Sequence, residues 1–140
     1  MKTQRIMSVN VKCIAPEAPL SEAWAMMQHA GVRHLPVRAR GELYGILSDR
    51  DLLVHARRDV DGTMKFPPLT AGDATTFHPI TCLPSASVGR VARMMLEHTI
   101  DSVPVVPVTF NTGQILLGLA AAVRAFGAYQ EPMHRAADWL

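Results

Sequence analysis

The chain has 140 residues, 49% of them hydrophobic and 19% charged, and its 14 basic and 12 acidic side chains leave a net charge of +2. That length suits one compact domain, and a near-neutral balance with scattered basic residues argues against a nucleic-acid surface. No apolar run approaches the roughly 20 residues of a membrane span, and Met1-Lys2-Thr3-Gln4-Arg5 leads into no apolar stretch, so no membrane contact or signal peptide is expected and the cytoplasm is the expected compartment.

In chain order, residues 11–14 form a short apolar stretch that stops near a proline and reads as a strand. Ser21 is the expected N-cap of a helix on which Ala23, Met26, Met27 and Ala30 recur at helical spacing, and Gly31 ends it. Leu35-Pro36-Val37 reads as a strand, Arg40-Gly41-Glu42 as a tight hairpin turn, residues 43–47 as the return strand and residues 49–57 as a second helix. Asp59, Asp61-Gly62, Pro67 and Pro68 mark a linker. The order then recurs, with a strand at 80–83, a helix at 87–98 and a strand at 103–108. Val88, Val91, Met94 and Met95 share one face of that helix. A loop with Asn111-Thr112-Gly113, a return strand at 115–119 and a helix at 120–128 complete the second copy. A tail ends in Trp139-Leu140.

The recurrence is a duplication. A constant offset of 68 positions lays Pro16 on Pro84, Met26-Met27 on Met94-Met95, Val32 on Ile100 and Leu35-Pro36-Val37 on Val103-Pro104-Val105. Beyond the prolines the offset grows, and Leu43-Tyr44-Gly45 meets Leu116-Leu117-Gly118. The expected architecture is therefore α/β (α+β): two strand-helix-strand-strand-helix repeats packed with pseudo-twofold symmetry. The expected boundaries are 5–58 and 71–128 for the repeats, 59–70 for the linker and 129–140 for the tail. Cys13 and Cys82 stand at nearly matching points and read as two buried thiols in a reducing compartment.

The copies differ where the first return strand ends. The first reads Gly45-Ile46-Leu47-Ser48-Asp49-Arg50-Asp51; the second has Ala121 in place of the serine and Arg124 in place of the last aspartate. Gly45 allows close backbone approach by a ligand. Ser48 stands where a strand gives way to a helix, and its hydroxyl with free N–H groups at the helix start makes an anion site. Asp51 lies one turn on, where a carboxylate can accept from both hydroxyls of a ribose. Arg50 can reach a phosphate. The alternative is that Ser48, Asp49 and Asp51 only cap the helix.

These features together resemble a tandem CBS domain pair, the Bateman module named after cystathionine β-synthase. The resemblance spans residues 5–128, and the 45–52 motif is its most specific part. It implies a stand-alone regulatory module that binds an adenosine-containing ligand, such as AMP, ADP, ATP or S-adenosylmethionine. It also implies a homodimer that signals to an unidentified effector protein. In this family each site is shared between repeats. For this chain that implies a ligand site of Gly45, Ile46, Leu47, Ser48, Asp49, Arg50 and Asp51 facing Thr76, Ile80, Ser102, Val103 and Pro104. The second pocket, beside Arg33 to Pro36, would carry Arg124, which offers only hydrogen-bond donors and cannot accept from a ribose.

No enzymatic signature is visible. The six histidines show no His-x-x-x-His pair, there is no Cys-x-x-Cys, and Gly-x-Ser-x-Gly, P-loop and dinucleotide glycine runs are missing. His34, next to the Leu-Pro-Val strand, reads as a surface or hydrogen-bonded histidine. No obligatory cofactor is expected. Two classes of function remain: a sensor of adenosine nucleotides, or a dimerisation module whose pockets are vestigial.

Overall fold

The computed structural model of the chain describes residues 1–106. The chain divides into two compact units, Lys12–Pro79, and Met1–Val11 together with the chain from Ile80 onward. This division differs from the repeat boundaries read in the sequence. By packing, residues 5–11 group with the unit that includes Ile80, and residues 59–79 with the Lys12–Pro79 unit. The expected return strand 115–119, helix 120–128 and C-terminal tail lie outside the described residues, as do Ala121 and Arg124.

In chain order the Lys12–Pro79 unit holds α1 (Leu20–Ala30), β1 (His34–Ala39), β2 (Glu42–Ser48), α2 (Asp49–Leu53), β3 (Arg57–Arg58), β4 (Met64–Lys65), α3 (Ala71–Ala74) and β5 (Thr76–Phe77). Leu20, Ala23 and Met27 recur on one side of α1 and are buried there, as helical periodicity requires. The helix starts earlier than expected. Pro19, not Ser21, is its N-cap, and the Pro19 carbonyl accepts from the N–H groups of Glu22 and Ala23 at 3.0 and 3.3 Å. Burial of Leu20 draws the chain into the helix before the serine is reached. Gly31, in the left-handed conformation, closes it as expected.

β1 and β2 form an antiparallel hairpin, with Leu35 opposite Leu47 and Ala39 opposite Glu42. Arg40 and Gly41 make the two-residue turn at φ 53° and 78°, the geometry of a turn whose two central residues are both left-handed. β5 adds to the other edge of β2, pairing Phe77 with Gly45 and Thr76 with Ile46. Beneath the sheet Ile14, Leu20, Ala23, Met27, Leu35, Val37, Leu47, Leu52 and Ala71 form one core. Burying each leucine there is worth about 1.5–3 kcal/mol.

Helix α2 is shorter than the expected 49–57. Only Leu52 is buried in it, and Val54 just beyond is 81% exposed. With no continuing apolar stripe, packing cannot sustain a longer helix. The chain turns instead into the β3–β4 hairpin, where Arg57 pairs with Lys65. The expected linker is thus partly ordered structure. Phe66 and Leu69 pack on the core, and the Phe66 ring lies 5.9 Å from that of Trp24.

In the other unit a 3-10 turn (Thr3–Arg5) precedes α4 (Val88–His98), which Ser87 caps by accepting from the Arg90 N–H at 3.2 Å. Cys82, Val91, Met95, Val103 and Val105 form its core, with Met94 packed against it.

The duplication is legible bond by bond. The Ile14 N–H donates to the Pro36 carbonyl at 3.0 Å, and Arg38 N–H donates to the Ile14 carbonyl at 2.9 Å. In the other unit Cys82 donates to Pro104 at 3.0 Å and Val106 donates to Cys82 at 2.9 Å. The expected strands at 11–14 and 80–83 are reduced to these single parallel bridges. Likewise Ala71 and Gly72 donate to Ala18 and Pro16, while Thr3 and Gln4 donate to Ala86 and Pro84. The bridge bonds recur 68 positions on at both ends, whereas in the second set the acceptors lie 68 positions on and the donors 68 positions back, which explains the division into units. Segments 1–11 and 69–79 are equivalent, and each completes the copy that its own hydrogen bonds select.

Burial raises the pKa of both Cys13 and Cys82 above the ordinary 9.0, with Arg38 partly opposing this at Cys13. As pH rises through the unfolded value, the unfolded thiols ionise first, so stability present below pH 9.0 is lost as pH climbs towards the folded pKa. Chemical denaturation between pH 8 and about 10.5 should show this decline. A Cys13→Ala/Cys82→Ala double variant should show a shallower one.

Candidate functional site

The Ser48–Asp51 segment lies at the C-terminal end of β2, where the pleat hands over to α2. Ser48 is an N-cap. Its hydroxyl accepts from the Asp51 N–H at 3.2 Å, and the Asp51 carboxylate Oδ2 accepts from the Ser48 N–H at 2.8 Å. This reciprocal pair is a capping box. It fixes the serine hydroxyl and the carboxylate side by side, and it leaves Oδ1 of Asp51 outside the box. Asp51 is half-buried.

The expected cradle of free N–H groups is not formed. Asp49 N–H donates to the Arg33 carbonyl at 2.9 Å, Arg50 N–H to Asp49 Oδ1 at 2.9 Å, and Asp51 N–H to Ser48 Oγ. The other Asp49 oxygen holds Arg33 Nε at 3.1 Å. That ion pair is largely exposed on the arginine side, so it orients the strand entrance more than it stabilises the fold. Arg50 is exposed.

Gly45 has a different reason from the one expected. A Cβ built there would meet the Thr76 carbonyl at 2.6 Å and the Thr75 hydroxyl at 2.7 Å. The room that glycine leaves is filled by the protein's own edge strand, not held open for a ligand. The Thr75 hydroxyl beside it is buried with no hydrogen-bond partner.

Ile46 and Thr76 are direct cross-strand neighbours, so they share a face, and Ser48, two residues along β2, shares it too. Thr76 is exposed and Ile46 half-buried, while Leu47 points into the core. Ile80, Ser102, Val103 and Pro104 belong to the other unit. There Val103 is core, Ser102 and Pro104 are buried, and the Pro104 carbonyl accepts from Cys82. His34 begins β1 opposite Ser48.

A concave feature went unread in the sequence. Glu17, Tyr44, Asp73 and Phe77 border an open cleft of about 400 Å³ in the Lys12–Pro79 unit. Its residues are far apart in the chain, and no local spacing announces them. Among the described residues no group of three or more His, Cys, Asp or Glu is placed to hold a metal ion. No helix among them is long and apolar enough to cross a membrane.

Two tandem copies of a mixed helix-strand unit, with Ser and Asp closing the second strand of the first, define a CBS pair. The CBS domain model matches residues 4–58 and 71–120, and the chain belongs to that family. CBS domain-containing protein YhcV of Bacillus subtilis (strain 168) is 27% identical over 112 residues, which cover 80% of this chain and 77% of YhcV. CBSX2 from Arabidopsis thaliana, in its complex with AMP, superposes with a TM-score of 0.70 at 24% identity, over 93% of this chain and 98% of that one. The CBS domain pair of protein MJ0100, in complex with 5′-methylthioadenosine and S-adenosyl-L-methionine, gives 0.72 at 22% identity, over 91% and 97% of the two chains.

Gly45→Ala should force β5 off the edge of β2, because the atoms in its way are backbone and a buried threonine. A loss of about 1–3 kcal/mol in urea unfolding is expected.

Proposed function

We propose that the chain is a regulatory module that binds one adenosine-containing ligand per chain at the end of β2, rather than an enzyme. The observation that carries this reading is the Ser48–Asp51 pair, held by its own backbone on the same stretch of β2 that Thr76 borders. Asp51 Oδ1, outside the capping box, accepts the ribose hydroxyls. Ser48 stands at the phosphate side, with the exposed Arg50 as a cation within the same turn. Ile46 and Thr76 supply one wall for the adenine. Ile80, Ser102, Val103 and Pro104 enter the proposal only as what the family resemblance implies.

Family membership supports the reading, as does the chemistry of the structural relatives, one bound to AMP and another to 5′-methylthioadenosine and S-adenosyl-L-methionine. Occupied capping N–H groups favour ligands whose affinity comes mainly from the nucleoside. A ligand held chiefly by a phosphate tail would have to displace those internal bonds. The module passes its ligand state to an effector protein and works as a homodimer in the cytoplasm.

Titration calorimetry with AMP should give a stoichiometry of one per chain. Asp51→Ala should weaken binding more than tenfold, the loss expected from a charge-assisted hydrogen-bond pair worth about 1.5–3 kcal/mol. Unchanged affinity in that variant would remove Asp51 from the site. No AMP, ADP, ATP or S-adenosylmethionine binding to the wild type would leave assembly as the function.

The homodimer is tested separately. Sedimentation velocity at micromolar concentration should show a species of twice the chain mass, since closed twofold pairing is the common symmetry for short apolar-rich chains. A monomer alone would refute it.

A further inference from the structure

The open cleft at Tyr44 and Phe77 shares no lining residue with the proposed adenosine site. Its volume, about 400 Å³, is that of a small-ligand site. Pro16 and Gly72 make its floor. The Gly72 N–H donates to the Pro16 carbonyl at 2.8 Å, and a Cβ on Gly72 would meet that oxygen at 3.1 Å, so the floor is tightly fixed. Tyr44 and Phe77 make an aromatic wall, their rings 5.0 Å apart and edge to face at 74°. Both rings stay substantially exposed, 41% and 49%. Two carboxylates, Glu17 and Asp73, complete the lining, and no basic side chain lines it.

The duplication supplies an internal comparison. The hydrogen bonds of Pro16, Ala18, Ala71 and Gly72 recur at Pro84, Ala86, Thr3 and Gln4, so the same scaffold is built twice. On the second scaffold the cleft's chemistry is erased. The 68-residue offset puts Ser85 at the place of Glu17, Arg5 at that of Asp73 and Val9 at that of Phe77. The fold does not require two carboxylates beside an aromatic ring here, since the described part of its other copy is built without them.

We propose that this cleft binds an organic cation, a guanidinium or alkylammonium group, between the Tyr44–Phe77 wall and the carboxylates of Glu17 and Asp73. Aromatic faces attract such cations through their quadrupole, and planar guanidinium both stacks on a ring and pairs with a carboxylate. An anion would meet two negative charges and no donor cation. Hydrogen bonds from the Thr70 N–H and hydroxyl hold the Asp73 carboxyl below its ordinary pKa, so its charge persists at neutral pH. The cation belongs either to a free diamine-like metabolite or to an arginine side chain of a partner protein, and the group recognised is the same.

The test is a titration of the full chain, followed by amide chemical shifts, with agmatine in one arm and N-acetyl-arginine amide in the other. Saturable shifts with a millimolar Kd or better, weakened as salt is raised, are expected for at least one probe. Glu17→Ser, an exposed position, and Phe77→Val each install the second copy's residue, and each should weaken binding at least fivefold. Agmatine binding alone identifies a free amine, whereas comparable binding of the capped arginine identifies a protein side chain. No saturation by either probe up to about 20 mM, or binding unchanged in both variants, would overturn the proposal.

Discussion

Two backbone hydrogen bonds anchor each copy of this fold. Ile14 donates to Pro36 and accepts from Arg38, and Cys82 repeats the bridge with Pro104 and Val106. Proline cannot donate, so the strand residue at its position offers only a carbonyl, and the neighbouring segment must approach in the one register that uses it. That register sets Ile14 against Val37 in the core and holds the start of each copy to its apolar-Pro-Val strand. β1 continues from this alignment into the hairpin with β2, whose other edge takes β5.

The candidate site rests on a shared device rather than a dedicated one. The bonds that cap α2 also hold Ser48 and Asp51 at a fixed separation. Capping and ligand binding therefore do not exclude each other, although the sequence presents them as alternatives. A carboxylate has two oxygens; one can terminate a helix while the other faces outward. The same economy appears in α3, where Thr70 and Asp73 form a second capping box at the border of the cation-sized cleft. In both places a helix too short to be stable alone is held by its cap and its neighbours.

Duplication frees one copy to diverge. Backbone bonds are kept at matching positions in both units, while side chains facing outward differ freely. Glu17 and Ser85, or Asp73 and Arg5, occupy equivalent points with opposed chemistry. Asymmetry in a symmetric framework is therefore informative, since packing demands are common to both copies and cannot explain it.

The sequence by itself determined the repeat, its family, the succession of α1, β1, β2 and α2, and the buried face of α1 and α4. Those are properties of local spacing: Ala23 and Met27, or Val91 and Met95, are buried because helical periodicity brings them to one side. It also singled out Ser48 and Asp51 as candidates, and the fold joins them in one capping box. Tertiary structure decided the rest. Helix α1 begins at Leu20 because the core claims that side chain, and α2 stops at Leu53 because nothing covers Val54. Gly45 is required by an edge strand about thirty residues distant, and Tyr44 meets Phe77 only once that strand has docked. Segments 1–11 and 69–79 join the copies that their hydrogen bonds reach rather than the ones that sequence adjacency suggests. Contacts between residues far apart in the chain leave no period to read, and they exist only once the chain has closed on itself.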